Sequence, residues 1–223
     1  VSRPPLSRDR VIDAASRVAD ASGLAGVSMR SVGRELEVEA MSLYHHVASK
    51  DALLDGLADW VFARMSTPAT DRPWRGEMDE RAHSARSVLF AHPWGLGLIE
   101  SRRSPGPSSL GHHDAVLGCL RASGFSVPLA AHAFSVLDAY VFGFVLTEVN
   151  LPFQPGEPAE AFVEQLSVES HGPLDETYPH LAEMIAVQIT GRDYQYGDEF
   201  DYGLTLVLDG LEAALDADIR GGG

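Results

Sequence analysis

Eight side chains in the first fifty residues have the types and spacing to touch a nucleic acid: Arg30, Ala40, Met41, Ser42, Tyr44, His45, His46 and Lys50. An arginine can give two parallel hydrogen bonds to O6 and N7 of guanine, and Ala40 and Met41 can meet thymine methyl groups. Ser42 can bond a phosphate or a base edge, while Tyr44, His45 and Lys50 suit phosphate oxygens. Each has a competing use. Arg30 can be solvated or paired with an acid, and Tyr44 and His46 can serve the packing of their own motif.

A second set lies downstream. His83, Trp94, His113, Cys119, His132, Phe134, Tyr140 and Phe144, with His92 and His112, stand among apolar residues. Between helices they would line a pocket for an aromatic or amphipathic small molecule. A histidine or tyrosine on an apolar face also serves as a satisfied core residue, and that reading stays open for each. His112 and His113 point about 100° apart on a helix and no second motif at ligand spacing accompanies them, so no metal site and no cofactor are expected. No nucleophile elbow, phosphate loop or zinc motif is present, and an enzyme is not expected. Glu157, Glu160 and Glu164 have helical spacing and read as a solvated face.

The elements that must position the first set follow from apolar periodicity. Ser7 caps a first helix with Val11, Ala15 and Val18 on its inner face, stapled by Leu6 and stopped by Gly23. Ser28 caps a second helix running to about Leu36. A turn at Glu37 and Val38 leads into a third, 39–47, with Leu43 and Val47 inward and the polar side chains outward. That is a helix-turn-helix whose third helix enters a major groove. Ser49 caps a long fourth helix that continues to about Met65 and connects this head to the body.

In the body the periodicity predicts helices at 76–92, 108–123, 127–150, 159–170, 178–190 and 199–219, with a short turn at 95–102 and loops at 104–109 and 151–158. No strand or internal repeat is evident, so the fold class is all-α. Helix 127–150 is apolar nearly all round and must be covered on several sides. With the leucine stripe of 199–219 it can supply half of an intersubunit four-helix bundle, giving a homodimer, or be used up in the monomer's own core.

Composition limits the partners. The net charge is −15, yet residues 1–50 hold seven Lys/Arg against six Asp/Glu, which leaves −16 on the rest. A nearly neutral head on an acidic body can approach DNA, since long-range repulsion is screened over about 10 Å, but it cannot bind by bulk charge. The apolar content of 45% supplies a real core. No uninterrupted apolar run of about 18 residues and no apolar leader stand out, so a cytoplasmic protein without a membrane partner is expected. Cys119 is the single cysteine and has no internal disulfide partner.

Residues 6–57 resemble the DNA-binding domain of the TetR (tetracycline repressor) family. The resemblance is carried by Leu6-Ser7, Ala14-Ala15, Gly23-Leu24, Ser28-Met29-Arg30, Ser42-Leu43-Tyr44, His46-Val47, Lys50 and Leu53-Leu54-Asp55. A weaker likeness to that family's regulatory domain runs through Gly124-Phe125-Ser126 and Gly143-Phe144-Val145-Leu146. The resemblance implies an all-helical homodimeric repressor. Its three-helix DNA-binding domain would span 1–49, the connecting helix 50–65, and a larger ligand-binding and dimerisation domain 66–223. The dimer would form through helices 127–150 and 199–219, bind a near-palindromic operator and leave it when a small molecule binds.

Two departures stand out. Glu37 occupies a turn position where the family commonly has glycine. The family founder's drug-contacting histidine falls on Ser66, and its metal-site glutamate falls near Thr147 rather than on Glu148, so magnesium-tetracycline is not the expected effector. A helical ligand-binding or enzymatic protein with a vestigial head and a constitutive DNA-binding dimer are the rival readings.

Overall fold

The computed structural model describes residues 4–101, 105–151, 174–190 and 194–221, and among these the regular elements are all helical. The head comprises α1 (Arg8–Gly26), α2 (Met29–Leu36) and α3 (Ala40–Leu43), followed by α4 (Lys50–Phe62). The body comprises α5 (Trp74–Ala91), α6 (Trp94–Ser101), α7 (Pro107–Ala122), α8 (Val127–Glu148), α9 (Leu174–Thr177), α10 (Pro179–Gln188) and α11 (Glu199–Gly221). Helix 159–170, the loop at 152–158 and the three glutamates expected on a solvated face lie outside the described residues.

Serine caps set four of these starts. Ser7, Ser28, Ser49 and Ser126 accept from the backbone N–H groups of Arg10, Ser31, Ala52 and Leu129. Each satisfies a donor that the first helical turn leaves free. Ser28 and Ser31 bond reciprocally in a capping box. At Gly23 the backbone turns to φ 65°, ending the regular part of α1 before a last turn to Gly26.

Three sequence expectations need correction. The third helix is not nine residues long: its regular part is Ala40–Leu43, after which Tyr44 and His46 donate to carbonyls three residues back, tightening the chain into turns that end at Val47. The run Tyr44-His45-His46-Val47 has weak helix propensity, and Ser49 adopts the extended conformation of a helix cap. The fourth helix stops at Phe62 instead of Met65, closing with three-residue bonds from Arg64 and Met65. The segment at 95–102 is a helix, α6, rather than a turn.

Two apolar cores result. Val11, Ala15, Val32, Leu36, Leu43, Val47, Leu53 and Leu57 fill the head, and Met78, Leu89, Val116, Leu120, Phe125, Leu137, Val141, Phe200 and Leu204 are in the body. Helix α4 crosses between them, with Leu53 and Leu57 in the first core and Val61 and Phe62 in the second. Helix α6 bridges in the same way through Leu98 and Leu96. Polar ties reinforce the junction, since Trp60 Nε1 donates to Asp13 at 2.6 Å and Trp94 Nε1 to Asp20 at 2.6 Å.

Helix α8 divides its residues between a buried and an exposed face. Ala130, Ala133, Leu137, Val141, Phe144 and Val145 of α8 enter the core, while His132, Val136, Ala139, Gly143 and Leu146 remain exposed. At 22 residues and mean hydropathy 1.7, α8 is long and apolar enough to cross a bilayer by that test alone. Its inner face is nevertheless packed against other helices, and Asp138 at mid-length is ion-paired with Arg81 of α5.

Candidate functional site

The head presents one outward surface. Arg30 lies in the first turn of α2, Ala40, Met41 and Ser42 on α3, Tyr44, His45 and His46 in the turns that follow, and Lys50 at the start of α4. Arg30, Met41, Tyr44, His45 and Lys50 are exposed, and Ala40, Ser42 and His46 are half-buried. Met41 is 72% exposed. Among the described residues Arg30, Arg34 and Lys50 form no ion pair, whereas Arg17 is paired with Glu35 at 2.7 Å.

Two backbone features hold α2 and α3 together. Glu37 adopts φ 54°, ψ 45°, the left-handed conformation that glycine favours, at a cost of about 1 kcal/mol that the packed turn absorbs. Gly33 was not singled out from sequence, yet a Cβ there would stand 3.0 Å from the carbonyl oxygen of Val38 and 3.3 Å from backbone atoms of Ala40. A side chain at this position would require those backbone atoms to give by a few tenths of an ångström.

The body contains a cavity of about 290 Å³ between α4, α6, α7 and α8. Ala58, Asp59 and Phe62 line it from α4, Ile99 from α6, Ser109 and His113 from α7, Phe134, Asp138 and Phe142 from α8, with Pro105 and Gly106 at the mouth of α7. The rings make an aromatic slot, with His113 edge-on to Phe62 at 5.2 Å and to Phe134 at 5.0 Å.

Its polar side rests on a buried network. Arg81, 2% exposed, donates from Nε to His112 Nε2 at 3.0 Å and from its guanidinium to Asp138. Because His112 Nε2 accepts, the ring proton sits on Nδ1, and Nδ1 is buried without a partner. Burial, then the positive charge of Arg81, then His113, push the His112 pKa down to about 3, so the ring is neutral. His113 is also lowered, by burial first and against the pull of Asp138.

Of the residues proposed from sequence for a pocket, His113 and Phe134 line this cavity and eight do not, His112 being bonded to Arg81 and His92 to Asp20. His83 is exposed and bonded to the carbonyl of Asp79 and the carboxylate of Asp201. Trp94 binds Asp20 at the head–body junction. Cys119 is in the core, its thiol pushed up by burial and then by the charge of Glu77. His132 is on the exposed face of α8. Tyr140 donates to the Phe200 carbonyl at 2.7 Å, and Phe144 stacks on Tyr196 at 4.8 Å. The rings and the thiol were chosen by type, and types that suit a pocket equally suit a core. Glu148 is bonded through both oxygens to Arg86, and Ser66 donates its N–H to Ser84.

Asp59 was missed and joins the two halves. It projects from α4, accepts the Ser109 N–H at 2.9 Å, and so caps α7, whose own cap residue Gly106 has no side chain. It also lines a smaller cleft of about 200 Å³ between α1 and α4.

A helix-turn-helix mounted on a helix that also walls a cavity in the body is the architecture of a one-component DNA-binding regulator. Comparison with known proteins agrees. Residues 11–57 match the family described as bacterial regulatory proteins, tetR family, and residues 67–215 match the tetracyclin repressor-like C-terminal domain. The chain is 34% identical over 221 residues to the HTH-type transcriptional repressor DrrR1 of Streptomyces coeruleorubidus, covering 96% of this chain and 80% of that protein. It is 29% identical to the class E tetracycline repressor protein of Escherichia coli over 215 residues, 95% of this chain and 93% of the other. The structure of the Streptomyces coelicolor TetR family protein ActR in complex with actinorhodin superposes with TM-score 0.77 at 29% identity, covering 95% of this chain and 98% of that one. The chain belongs to the TetR family of helix-turn-helix transcriptional regulators.

Proposed function

We propose that this protein is a ligand-responsive repressor that binds a near-palindromic operator as a homodimer and leaves it when a small molecule enters the body cavity. The observation that carries the reading is the course of α4, which is built into the head core at Leu53 and Leu57 and walls the cavity with Asp59 and Phe62. The repressor sign and the effector draw support from relatives, one named a transcriptional repressor and another solved with actinorhodin bound.

Operator contact falls to Arg30, Ala40, Met41, Ser42, Tyr44, His45 and Lys50, with His46 supporting them from its half-buried position. Effector contact is assigned to His113 and Phe134 together with Asp59, Phe62, Ser109, Asp138 and Phe142. An effector that fits the cavity better when α4 is tilted stabilises the tilted state, and only such a difference in affinity shifts the equilibrium. In a dimer that tilt changes the separation of two recognition helices that must meet half-sites about one DNA turn apart.

The homodimer is assigned to α8 and α11. Beside the exposed stripe of α8, α11 leaves Tyr202, Leu206, Gly210, Ala213 and Ala217 uncovered at helical spacing. Added Cβ atoms at Gly143 and Gly210 would meet nothing within 4 Å, so neither glycine is needed by its own subunit. Each costs its helix about 1 kcal/mol, which close approach of a second copy would offset.

The test is selection of DNA from a random pool by the purified full chain, repeated with a panel of aromatic small molecules. Enrichment of a two-fold symmetric sequence that a panel member releases is the expected outcome. Failure to enrich any two-fold sequence refutes the reading.

A further inference from the structure

We propose that the cavity sorts effectors by charge, admitting flat aromatic molecules that are neutral or positively charged and carry hydrogen-bond donors, and turning away aromatic carboxylates. The inference rests on the reading of this cavity as the effector site.

The apolar part of the argument is the slot formed by Phe62, Phe134 and Phe142, whose faces and edges favour a stacked or edge-on ring system over a flexible chain. The polar part is the sign of its charges. The charged side chains lining the cavity are the carboxylates of Asp59 and Asp138, and no lysine or arginine is among the described lining residues. Arg81, the nearby cation, is buried behind Asp138 with its guanidinium committed to Asp138 and to His112. His113, held toward its neutral form by burial, supplies no compensating charge.

Each carboxylate also has acceptor capacity left. Asp138 accepts from Arg81 through Oδ1, and Asp59 accepts from Ser109 through Oδ1, and among the described residues neither second oxygen takes a hydrogen bond. An incoming ammonium or hydroxyl group meets two acceptors in a site of low dielectric. An incoming carboxylate meets two like charges there, with no lysine or arginine among the described lining residues, and Coulomb repulsion in a partly enclosed site is less screened than in open solvent.

Three fluorescent probes on one ring skeleton isolate the effect: anthracenylmethylammonium, hydroxymethylanthracene and anthracene carboxylate, titrated against the intact wild-type protein without DNA at fixed ionic strength. The expected order of affinity is ammonium, then hydroxyl, then carboxylate, with the first at least about tenfold above the last. Asp59→Asn and Asp138→Asn change little of the surface charge of a chain at −15, so they separate the cavity from general attraction to an acidic protein. The gap is expected to narrow severalfold in either variant. If Asp138→Asn does not fold, because Arg81 has lost its partner, Asp59→Asn and the wild-type series still decide.

A carboxylate that binds as tightly as the ammonium probe, or a preference unchanged in the asparagine variants that fold, overturns the proposal and leaves the effector cavity standing. If no probe saturates the protein, and filling the slot with Ala58→Phe alters nothing, the reading of the cavity fails and the proposal with it.

Discussion

Replacing Asp59 by alanine tests the link between head and body at one bond. Asp59 is 9% exposed and accepts the Ser109 N–H at 2.9 Å. Ser109 is the third residue of α7, whose cap residue Gly106 offers no side chain and sits so close to Asp59 that a Cβ there would clash with its carboxylate. Alanine removes a charge-assisted hydrogen bond, leaves a buried donor alone and opens space against Gly106. Loss of a helix cap costs about 0.5–2 kcal/mol, and a hydrogen bond to a charged group contributes about 1.5–3 kcal/mol. Asp59→Ala is therefore expected to cost about 2 kcal/mol. Asparagine keeps an oxygen for Ser109 and loses only the favourable charge at a helix N-terminus, worth about 0.3–1 kcal/mol. Urea unfolding at fixed protein concentration, so that dimerisation contributes equally, measures both variants. If alanine lies within about 0.5 kcal/mol of wild type, or matches asparagine, the cap is not a stabilising link and the argument fails. A second readout concerns coupling: a compound that releases wild-type protein from DNA is expected to change the affinity of Asp59→Ala less, because α7 no longer holds α4.

The head surface separates specificity from affinity. Arg30→Ala is expected to cost about 1–3 kcal/mol of operator binding and to relax preference at one base pair, read by selection and titration, while Lys50→Ala weakens all sequences alike and lowers the salt slope by about one. Gly33→Ala forces a Cβ against backbone atoms of Val38 and Ala40, none of them the tip of a flexible side chain. It is expected to destabilise the head by about 1–3 kcal/mol and to abolish operator binding, measured by thermal unfolding and gel shift. His112 binds a proton in the unfolded chain near pH 6.5 and in the fold near pH 3, so its contribution is present above about 6.5 and is lost as pH falls toward 3. That is on the order of 5 kcal/mol of acid lability, and His112→Gln, which keeps an acceptor for Arg81 but does not titrate, is expected to flatten stability against pH over that window. Gly143→Leu and Gly210→Leu, both at open positions of the subunit, are expected to preserve helix content yet shift sedimentation from dimer toward monomer.

What could be read from the sequence follows how local its causes are. Three helix starts were legible because Ser7, Ser28 and Ser49 act on N–H groups three residues away, and Ser126, not singled out from sequence, caps α8 in the same way. The residues proposed to face DNA could be chosen for the same reason, since they lie within one short stretch. Helix α6 was not, because Gly95 and Gly97 after Pro93 argue for a turn, and the helix forms through burial of Leu96 and Leu98 in two different cores. The length of α3 was overestimated since the apolar period continues to Val47 even though the regular helix ends at Leu43.

The cavity is the least local feature, drawn from four helices, and choosing residues by type found only His113 and Phe134. A better signal was present. Asp59 stands in Leu57-Ala58-Asp59-Trp60-Val61-Phe62, and Asp138 stands midway along the most apolar helix of the chain. A charge at such a position must find a partner or lose its ionisation on burial. Both partners are found, the N-terminus of α7 for Asp59 and Arg81 for Asp138, and both lie at the cavity wall. Burial of either carboxylate in a continuous apolar core would be more stable with an apolar residue of equal size. Their presence at a cavity wall lined by α4, which is also built into the head core, is better explained by recognition and coupling than by stability, and that is the physical ground for proposing the effector site here.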